Sequence, residues 1–297
     1  METDLVRLIE EYGSEEKCRA ELEELRWPNG IDCPRCKNTQ VSRIKKRHQY
    51  DCDKCRYQFS VLTGTSFSDT HLPIWKWFLA AYLICESRKG ISANQIKRVL
   101  GVSYKTAWFL CHRIRAAMKE SHPEKLATGT IEIDEAYLGG KTREGRRGRG
   151  SENKIPVLGI RQRNGDLRMM VIPNVRTRAI RKSVSANVSP DVDRVITDEL
   201  NVYVPAIGPI FKHKLKRIKH KETYVVGDIH TNTVENAFSL LKRAAYGTYH
   251  QLSEKHLQSY LDEMTFRFNR RKDPNLFSET LKQMVASQNL TFKKLTT

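Results

Sequence analysis

Four of the seven cysteines form a regular pattern near the start of the chain. Two residues lie between Cys33 and Cys36, the same number lies between Cys52 and Cys55, and fifteen residues separate the two pairs. Paired CxxC motifs of this kind are typical of a zinc ribbon, in which each pair supplies two thiolates to one tetrahedral Zn²⁺. Four cysteines complete the coordination, so the pattern predicts a structural zinc, with the polar stretch 41–51 forming a short hairpin. Disulfides are the alternative, which a reducing compartment disfavours.

The charge of the chain is strongly basic. Among 297 residues, 52 Lys and Arg stand against 34 Asp and Glu, a formal net charge of +18. The first 30 residues are acidic, with nine Asp and Glu against four Lys and Arg, so the positive excess belongs to the remainder. Such a surface attracts polyanions, and nucleic acid is the expected partner. A solubilising surface without a partner is the alternative.

The sequence contains no apolar run long enough to span a membrane, and its acidic start is unlike a signal peptide. We therefore expect a cytoplasmic protein without a membrane partner, associated with the nucleoid of a bacterial or archaeal host.

Helical patterns dominate the region after the cysteines. The run 72–85 is apolar, and Ser92 is placed to cap a short helix that ends at Gly101. A second helix over 104–115 follows, and helix, glycine turn and helix are typical of the helix-turn-helix plan. Its second helix is expected to present Tyr104, Lys105 and His112 or Arg113 to a DNA groove. An ordinary helical hairpin is the alternative.

Beyond residue 128 the pattern changes to that of strands. Residues 130–135 alternate, and the Asn164-Gly165 turn between the strand-like runs 155–160 and 167–172 predicts a hairpin. The elements that follow are a helix near 178–188, a strand at 193–198, a short strand at 223–226 and a helix that includes Glu235. Three antiparallel strands, a helix, a strand and a later helix are the order of an RNase H-like domain.

Three carboxylates lie at the ends of these elements: Asp134, Asp198 and Glu235. Carboxylates from two strands and a helix can hold two divalent ions, Mg²⁺ or Mn²⁺, which clamp the attacking and leaving oxygens of a phosphoryl displacement. Each has an ordinary alternative. Asp134, like Glu132, belongs to a solvated strand face, Asp198 is one acid among several, and Glu235 closes a capping box that begins at Asn232.

The helix that carries Glu235 is amphipathic. Glu235, Ser239 and Lys242 share one face, while apolar residues such as Val234 and Phe238 line the other. Lys242 is therefore placed to hold a DNA phosphate near the carboxylates, with a solvated lysine as the alternative.

Several stretches together resemble the DDE transposases of insertion sequences, in the zinc-ribbon branch related to Merlin elements. The stretches are the four cysteines; Phe59–Phe67; Gly90–Ala93 through Lys105–Trp108; Ile133–Gly140; Thr197-Asp198; His230–Glu235 through Leu241–Arg243; and Arg267–Arg271. They lie in the family's order and cover roughly residues 15–272.

The resemblance implies an RNase H-like catalytic domain with Mg²⁺ or Mn²⁺ as its cofactor. It further implies double-stranded DNA partners, namely the element's terminal repeats and the target, and a homo-oligomer in the DNA complex. By position, Asp134, Asp198 and Glu235 match the catalytic triad, and Lys242 matches the lysine that follows it. Asn232 and His230 are the alternatives to Glu235 as third ligand.

We therefore expect an α+β multidomain protein. The expected segments are an acidic helical terminus (1–30), a zinc ribbon (31–68), a helix-turn-helix-like DNA-binding domain (69–122), an RNase H-like α/β catalytic domain (123–272) and a C-terminal tail (273–297). Two basic runs, 141–154 and 212–221, are expected to bind phosphate without sequence preference. The predicted function is DNA transposition; the alternatives are a non-catalytic DNA-binding regulator and a metal-dependent nuclease without strand transfer.

Overall fold

The computed structural model describes residues 4–120, 123–139, 154–218 and 228–297. Its contacts divide the chain into two units. The first unit combines residues 1–119 with 270–297, and the second comprises residues 120–269.

The elements of the described ranges are numbered in chain order. The helices are α1 (Leu5–Tyr12), α2 (Glu15–Arg26), α3 (Ile74–Glu86), α4 (Ala93–Leu100), α5 (Tyr104–Ala117), α6 (Thr177–Asn187), α7 (Tyr203–Phe211), α8 (Asn232–Ala244), α9 (Glu254–Asn269), α10 (Leu276–Ala286) and α11 (Phe292–Thr296). The strands are β1 (Val41–Ile44), β2 (Gln49–Cys52), β3 (Gln58–Phe59), β4 (Thr130–Leu138), β5 (Ile155–Gln162), β6 (Leu167–Val171), β7 (Arg194–Thr197) and β8 (Leu215–Arg217).

The first unit begins with the expected acidic helices, and side chains cap both. The Asp4 carboxylate accepts a hydrogen bond from the Arg7 amide, and the Ser14 hydroxyl accepts one from the Lys17 amide. The cysteine pairs then flank a hairpin of β1 and β2, to which β3 adds a third antiparallel strand. The zinc-ribbon fold predicted from the cysteine spacing is thus the fold observed.

Helices α4 and α5 have the predicted helix, turn, helix order. Ser92 caps α4 by accepting the Gln95 amide, and Gly101 ends it with a left-handed φ of 62°. Ser103 caps α5 in the same way. One expectation for α5 is wrong. His112 and Arg113 are only 1% and 4% exposed, so neither can reach a DNA groove.

Arg113 is instead held inside the first unit. Its guanidinium donates to the Ser68 carbonyl and the Asn289 side chain. It also lies against the rings of Trp77 and Phe109. Seen from the sequence, an Arg late in a helix suggested a DNA contact, but burial of that face of α5 turns it inward.

The C-terminal segment is not the separate tail expected from residue 273. Helix α10 packs against α2 and α3, and its buried side chains recur at helical spacing. Phe277 contacts the rings of Tyr12 and Tyr82, and the Met284 carbonyl accepts the Ser66 amide. The end of the chain therefore completes the core of the first unit.

The second unit is built on a five-stranded sheet with the order β6-β5-β4-β7-β8. Strands β4, β5 and β6 pair antiparallel, whereas β7 pairs parallel to β4 and β8 parallel to β7. The Asn164-Gly165 turn joins β5 to β6 as predicted, with Asn164 at a φ of 57°. This is the element order on which the RNase H-like prediction rests.

Helices cover both faces of this sheet. On one face, Ile131 and Ile133 of β4 form a core with α6 and α7. On the other, Ala136 and Leu138 form a core with Val234 and Phe238 of α8 and with α9. The sequence did not predict α7 or β8. The expected strand at 223–226 and nearly all of the basic run 141–154 lie outside the described residues.

Candidate active site and cysteine cluster

The four cysteines of the ribbon converge on one point. Their sulfur atoms all lie within 4.8 Å of one another, with Cys36 and Cys52 separated by 3.5 Å and Cys33 and Cys55 by 3.7 Å. A tetrahedron with Zn–S bonds of about 2.3 Å places its sulfurs about 3.8 Å apart. These separations far exceed a disulfide bond of about 2.05 Å, so the four cysteines are not joined in disulfides. The donor set therefore fits a structural Zn²⁺.

The surroundings of Cys52 and Cys55 shift the pKa values of their thiols in opposite directions. A hydrogen bond from the Cys55 amide lowers the pKa of Cys52 to about 6, whereas desolvation raises the pKa of Cys55 to about 12. Without a cation, the surroundings therefore favour a thiolate at Cys52 and a thiol at Cys55. Metal binding would displace the remaining protons, which makes zinc affinity dependent on pH.

The two aspartates predicted from the strands lie side by side. Asp134 is on β4, and Asp198 follows the last residue of the neighbouring parallel strand β7. Ile133 pairs with Thr197 in that register, so the next residue of each strand lies at the same level of the sheet. Asp198 is buried, and its Oδ1 accepts the Leu200 amide at 3.0 Å. Adjacent parallel strands therefore bring together two acids that are 64 residues apart.

A third carboxylate joins them, and it is Glu135. Carboxylate oxygens of Asp134, Glu135 and Asp198 lie within 4.8 Å of one another. The phenol of Tyr203 on α7 donates to Glu135 Oε2 at 2.7 Å. Tyr203 is wholly buried, so it fixes this carboxylate in place. The sequence offered no sign of the pair, because Tyr203 lies 68 residues away on a helix that was not predicted.

The shared environment shifts the ionisation of Asp134. Burial, followed by the charges of Glu135, Asp198 and Glu235, raises the pKa of its carboxyl to about 7. Like charges in a desolvated site disfavour one another unless a cation neutralises them. Grouped carboxylate oxygens are also the ligands that Mg²⁺ prefers. The residues at this site therefore fit a divalent metal ion.

Glu235 acts on Asp134 through its charge, but it is not one of the three clustered carboxylates among the described residues. Its side chain is exposed, and its Oε1 accepts a 2.6 Å hydrogen bond from the Thr231 hydroxyl. The capping-box alternative is wrong, because the N-cap of α8 is Thr231 and Asn232 is the first helical residue. The Glu235 side chain is thus not engaged in a capping box that begins at Asn232.

The face of α8 predicted to meet DNA is solvent-exposed. Glu235, Ser239 and Lys242 are all exposed, while Val234, Phe238 and Leu241 are buried. Lys242 therefore lies on the same side of the helix as Glu235.

A solvated strand face was the alternative considered for Asp134 and Glu132, and for Glu132 this alternative is wrong. The residue is 0% exposed, and its carboxylate contacts Arg163, His230 and the first turn of α8. His230 was an alternative third ligand. Its Nδ1 lies 3.4 Å from Glu132 Oε1 and 3.2 Å from the Arg163 guanidinium.

Comparison with known proteins matches both parts of this architecture. Residues 126–269 match an ISXO2-like transposase domain, and residues 13–58 match a transposase zinc-ribbon domain, both of the IS1595 type. A Halobacterium salinarum protein, described as an uncharacterized protein in transposable element ISH50, is 30% identical over 252 residues. The alignment covers 79% of this chain and 84% of that protein. The chain belongs to the IS1595 family of transposases.

The family assignment confirms the resemblance inferred from the sequence motifs. The transposase-domain match contains Asp134, Asp198, Glu235 and Lys242, and the zinc-ribbon match contains all four clustered cysteines. No helix in the described parts of this transposase is long and apolar enough to cross a membrane.

Proposed function

We propose that this transposase cuts double-stranded DNA at the ends of its insertion sequence and joins the freed ends to target DNA, with Mg²⁺ or Mn²⁺ as cofactor. The observation that carries the proposal is the pair formed by the half-buried Asp134, in the middle of β4, and the buried Asp198, directly after the parallel strand β7. It lies within the part of the chain that matches a transposase domain.

The proposed ligands are Asp134, Asp198 and Glu235. When bound there, divalent ions supply the positive charge that clamps the attacking and leaving oxygens of an in-line displacement at phosphorus. Thr231 orients the Glu235 carboxylate, and Tyr203 orients Glu135 beside the two aspartates. Lys242, on the exposed face of α8, is proposed to hold a DNA phosphate.

The proposed DNA contacts are divided. The ribbon and the α4–α5 pair would recognise the terminal repeats, using exposed residues such as Tyr104 and Lys105. The basic run 212–221 would bind phosphate of any sequence. We also propose a homo-oligomer in the DNA complex, and association with the nucleoid of a bacterial or archaeal host.

The decisive experiment uses the full-length protein, Mg²⁺ and a labelled DNA that carries the repeats flanking its own gene. We expect cleavage at the repeat boundary followed by joining to a second DNA. Asp134→Asn and Asp198→Asn should abolish both steps while leaving DNA binding largely intact, because each keeps its shape and loses a ligand charge. Glu199→Gln, beside Asp198, is the matched control and should stay active.

The same assay separates the alternatives. Cleavage without joining would indicate a nuclease, and binding without cleavage would indicate a regulator. The assignment of the third ligand is tested separately, with Glu235→Gln expected to be inactive and Lys242→Ala expected to be weakened. Full activity of Glu235→Gln together with an inactive Glu135→Gln, Asn232→Ala or His230→Ala would move the third ligand to that residue.

A further inference from the structure

The carboxylate of Glu132 accepts several hydrogen bonds close to the site. Its Oε2 accepts the Thr233 amide at 2.9 Å, the Thr233 hydroxyl at 2.8 Å and the Val234 amide at 3.1 Å. Its Oε1 accepts Arg163 Nε at 2.7 Å. The contacts join β4, the loop after β5 and the start of α8.

These hydrogen bonds take the place of a side-chain N-cap, which the N-cap residue of α8 does not provide. The N-cap residue Thr231 makes no side-chain hydrogen bond to the helix backbone, because its hydroxyl donates to Glu235 instead. The second and third amides of the helix, those of Thr233 and Val234, are the donors that a cap normally satisfies. Glu132 satisfies both from the neighbouring strand, and its charge also favours the positive end of the helix dipole.

A glycine lets the helix approach the same part of the sheet. Gly159 on β5 pairs with Asp134 on β4. A Cβ at residue 159 would lie 2.6 Å from Phe238 Cζ and 2.9 Å from Val234 Cγ2. Helix α8 therefore packs closely on the sheet next to Asp134. The first turn of the same helix is hydrogen-bonded to Glu132.

We propose that Glu132 is a positioning residue, which fixes the first turn of α8 and thereby sets Glu235 against the aspartate pair. The inference rests on the proposed function of the site. Glu132 lies on the same strand as Asp134, two residues away, and it binds the residue that immediately precedes Glu235. The buried Glu132 carboxylate thus links the two ligand-bearing elements by direct hydrogen bonds.

Glu132 is not itself suited to be a ligand. Its two oxygens already accept from Arg163, Thr233 and Val234, and it is absent from the clustered carboxylates found in the described parts of the chain. Binding a cation would require these hydrogen bonds to break. It acts through the helix it holds.

The test measures the metal requirement of the full-length protein. Glu132→Gln keeps the size of the side chain but turns an amide towards Arg163 or towards α8. We expect the Mn²⁺ concentration for half-maximal cleavage of end DNA to rise about tenfold or more, as for other residues that orient metal ligands. Saturating Mn²⁺ should recover much of the rate. Thr233→Val removes one hydrogen bond and should shift the requirement in the same direction by about fivefold.

Calorimetric titration of Mn²⁺ without DNA gives a second reading, in which both variants should bind more weakly. Glu199→Gln, an acid beside Asp198 without these contacts, is the control. If Glu132→Gln lowers only the melting temperature and leaves the Mn²⁺ requirement unchanged, the residue is merely structural and the proposal is wrong. If it is inactive at every Mn²⁺ concentration, Glu132 is a ligand and the proposal is equally wrong.

Two further results distinguish failure of the proposed function from failure of the proposed role of Glu132. Activity of Asp134→Asn and Asp198→Asn would refute the proposed function itself, whatever Glu132→Gln does. Should Glu132→Gln fail to fold, Thr233→Val decides, and a wild-type Mn²⁺ requirement in that variant overturns the proposal.

Discussion

The ionisation of Asp134 is changed by its place in the carboxylate cluster. Its half-buried carboxyl lies beside those of Glu135 and Asp198, and desolvation together with their charges raises its pKa to about 7. An arrangement that disfavours ionisation in the metal-free protein is the one that binds a cation strongly. The site therefore costs stability in order to provide a ligand, as functional sites commonly do.

The raised pKa leads to a prediction about protein that keeps its ribbon zinc but has no Mg²⁺ or Mn²⁺ at the carboxylates. In buffer without Mg²⁺, Mn²⁺ or chelator at pH 8, Asp134 is ionised in both the folded and the unfolded state, and the folded state bears the repulsion between the carboxylates. Asp134→Asn removes it and should raise the melting temperature, by on the order of 5 °C. Thermal denaturation followed by circular dichroism measures this.

The sign of the pH dependence follows from the raised pKa. Between the unfolded pKa near 4 and the folded value of about 7, the folded state binds the extra proton, so wild-type stability falls as pH rises. At pH 5 the folded Asp134 is protonated, and the advantage of Asp134→Asn should shrink. Glu199→Gln should show no such trend. A variant that is less stable than wild type at both pH values would contradict the raised pKa.

Local sequence patterns carried part of the information about single residues. The strand-like runs pointed to Asp134 and Asp198, whose carboxylates lie close together, and the helical pattern put Lys242 on the same exposed face of α8 as Glu235. Glu132 and Asp134 are on the same face of β4 and have similar neighbours in the sequence. Glu132 nevertheless caps the start of α8, whereas Asp134 belongs to the carboxylate cluster. Only the packing of α8 on β4 separates them, and no local pattern in the sequence shows which side chain α8 covers.

At the level of elements, the close approach of α8 to the sheet depends on Gly159. Gly159→Ala places a methyl group against Phe238 and Val234, both in the apolar core of that face. We expect a loss of about 1–3 kcal/mol in the free energy of unfolding, because a packed core resists added volume. Chemical denaturation measures the loss.

The matched control for this prediction is Gly159→Ala combined with Phe238→Leu, which removes the closest ring. If the clash is the cause, the double variant should lose less stability than the sum of the two single losses. Additive losses would show that strain at residue 159 has another origin.

The zinc ribbon is the element that depends most on its ligand. Cys52→Ser removes one of the four sulfurs and should lower zinc content from one ion per chain to near zero, as measured by metal analysis. Chelation should unfold residues 31–68, because folding and metal binding are coupled in small zinc domains. The sheet of the second unit, which shares no residue with the cluster, should keep its melting transition. Zinc content unchanged in Cys52→Ser would refute the ligand assignment.

Elements were predictable from sequence when a cap or turn residue marked them. Ser92, Gly101 and Asn164-Gly165 each identified a boundary that the structure has. Helix α7 was missed because it contains Pro205 and Pro209, which disfavour helix by propensity. Burial of its Tyr203 and Phe211 outweighs that propensity. Strand β8 was missed because its Lys216 and Arg217 are basic, and its pairing with β7 decides its structure.

At the scale of the whole molecule, charge decides how the protein meets its proposed partner. The net charge of +18 arises although the first 30 residues are acidic. Nucleic-acid affinity that comes from phosphate contacts falls steeply with salt, since binding releases counterions. We therefore expect the affinity of the full-length protein for random DNA to fall steeply between about 50 mM and 200 mM salt.

A single lysine can separate phosphate binding from recognition of the element ends. Lys216 is exposed on β8, the last strand in the sheet order, in the basic run proposed to bind phosphate. Lys216→Gln should weaken binding to end DNA and random DNA by the same factor, and lower the slope of log affinity against log salt by about one. Fluorescence anisotropy at several salt concentrations measures both. Lys17→Gln is the matched control, because its ammonium binds the Glu10 carbonyl within the acidic terminus. Loss of binding to end DNA alone in Lys216→Gln would mean that this strand reads sequence, and the proposed division of DNA contacts would be wrong.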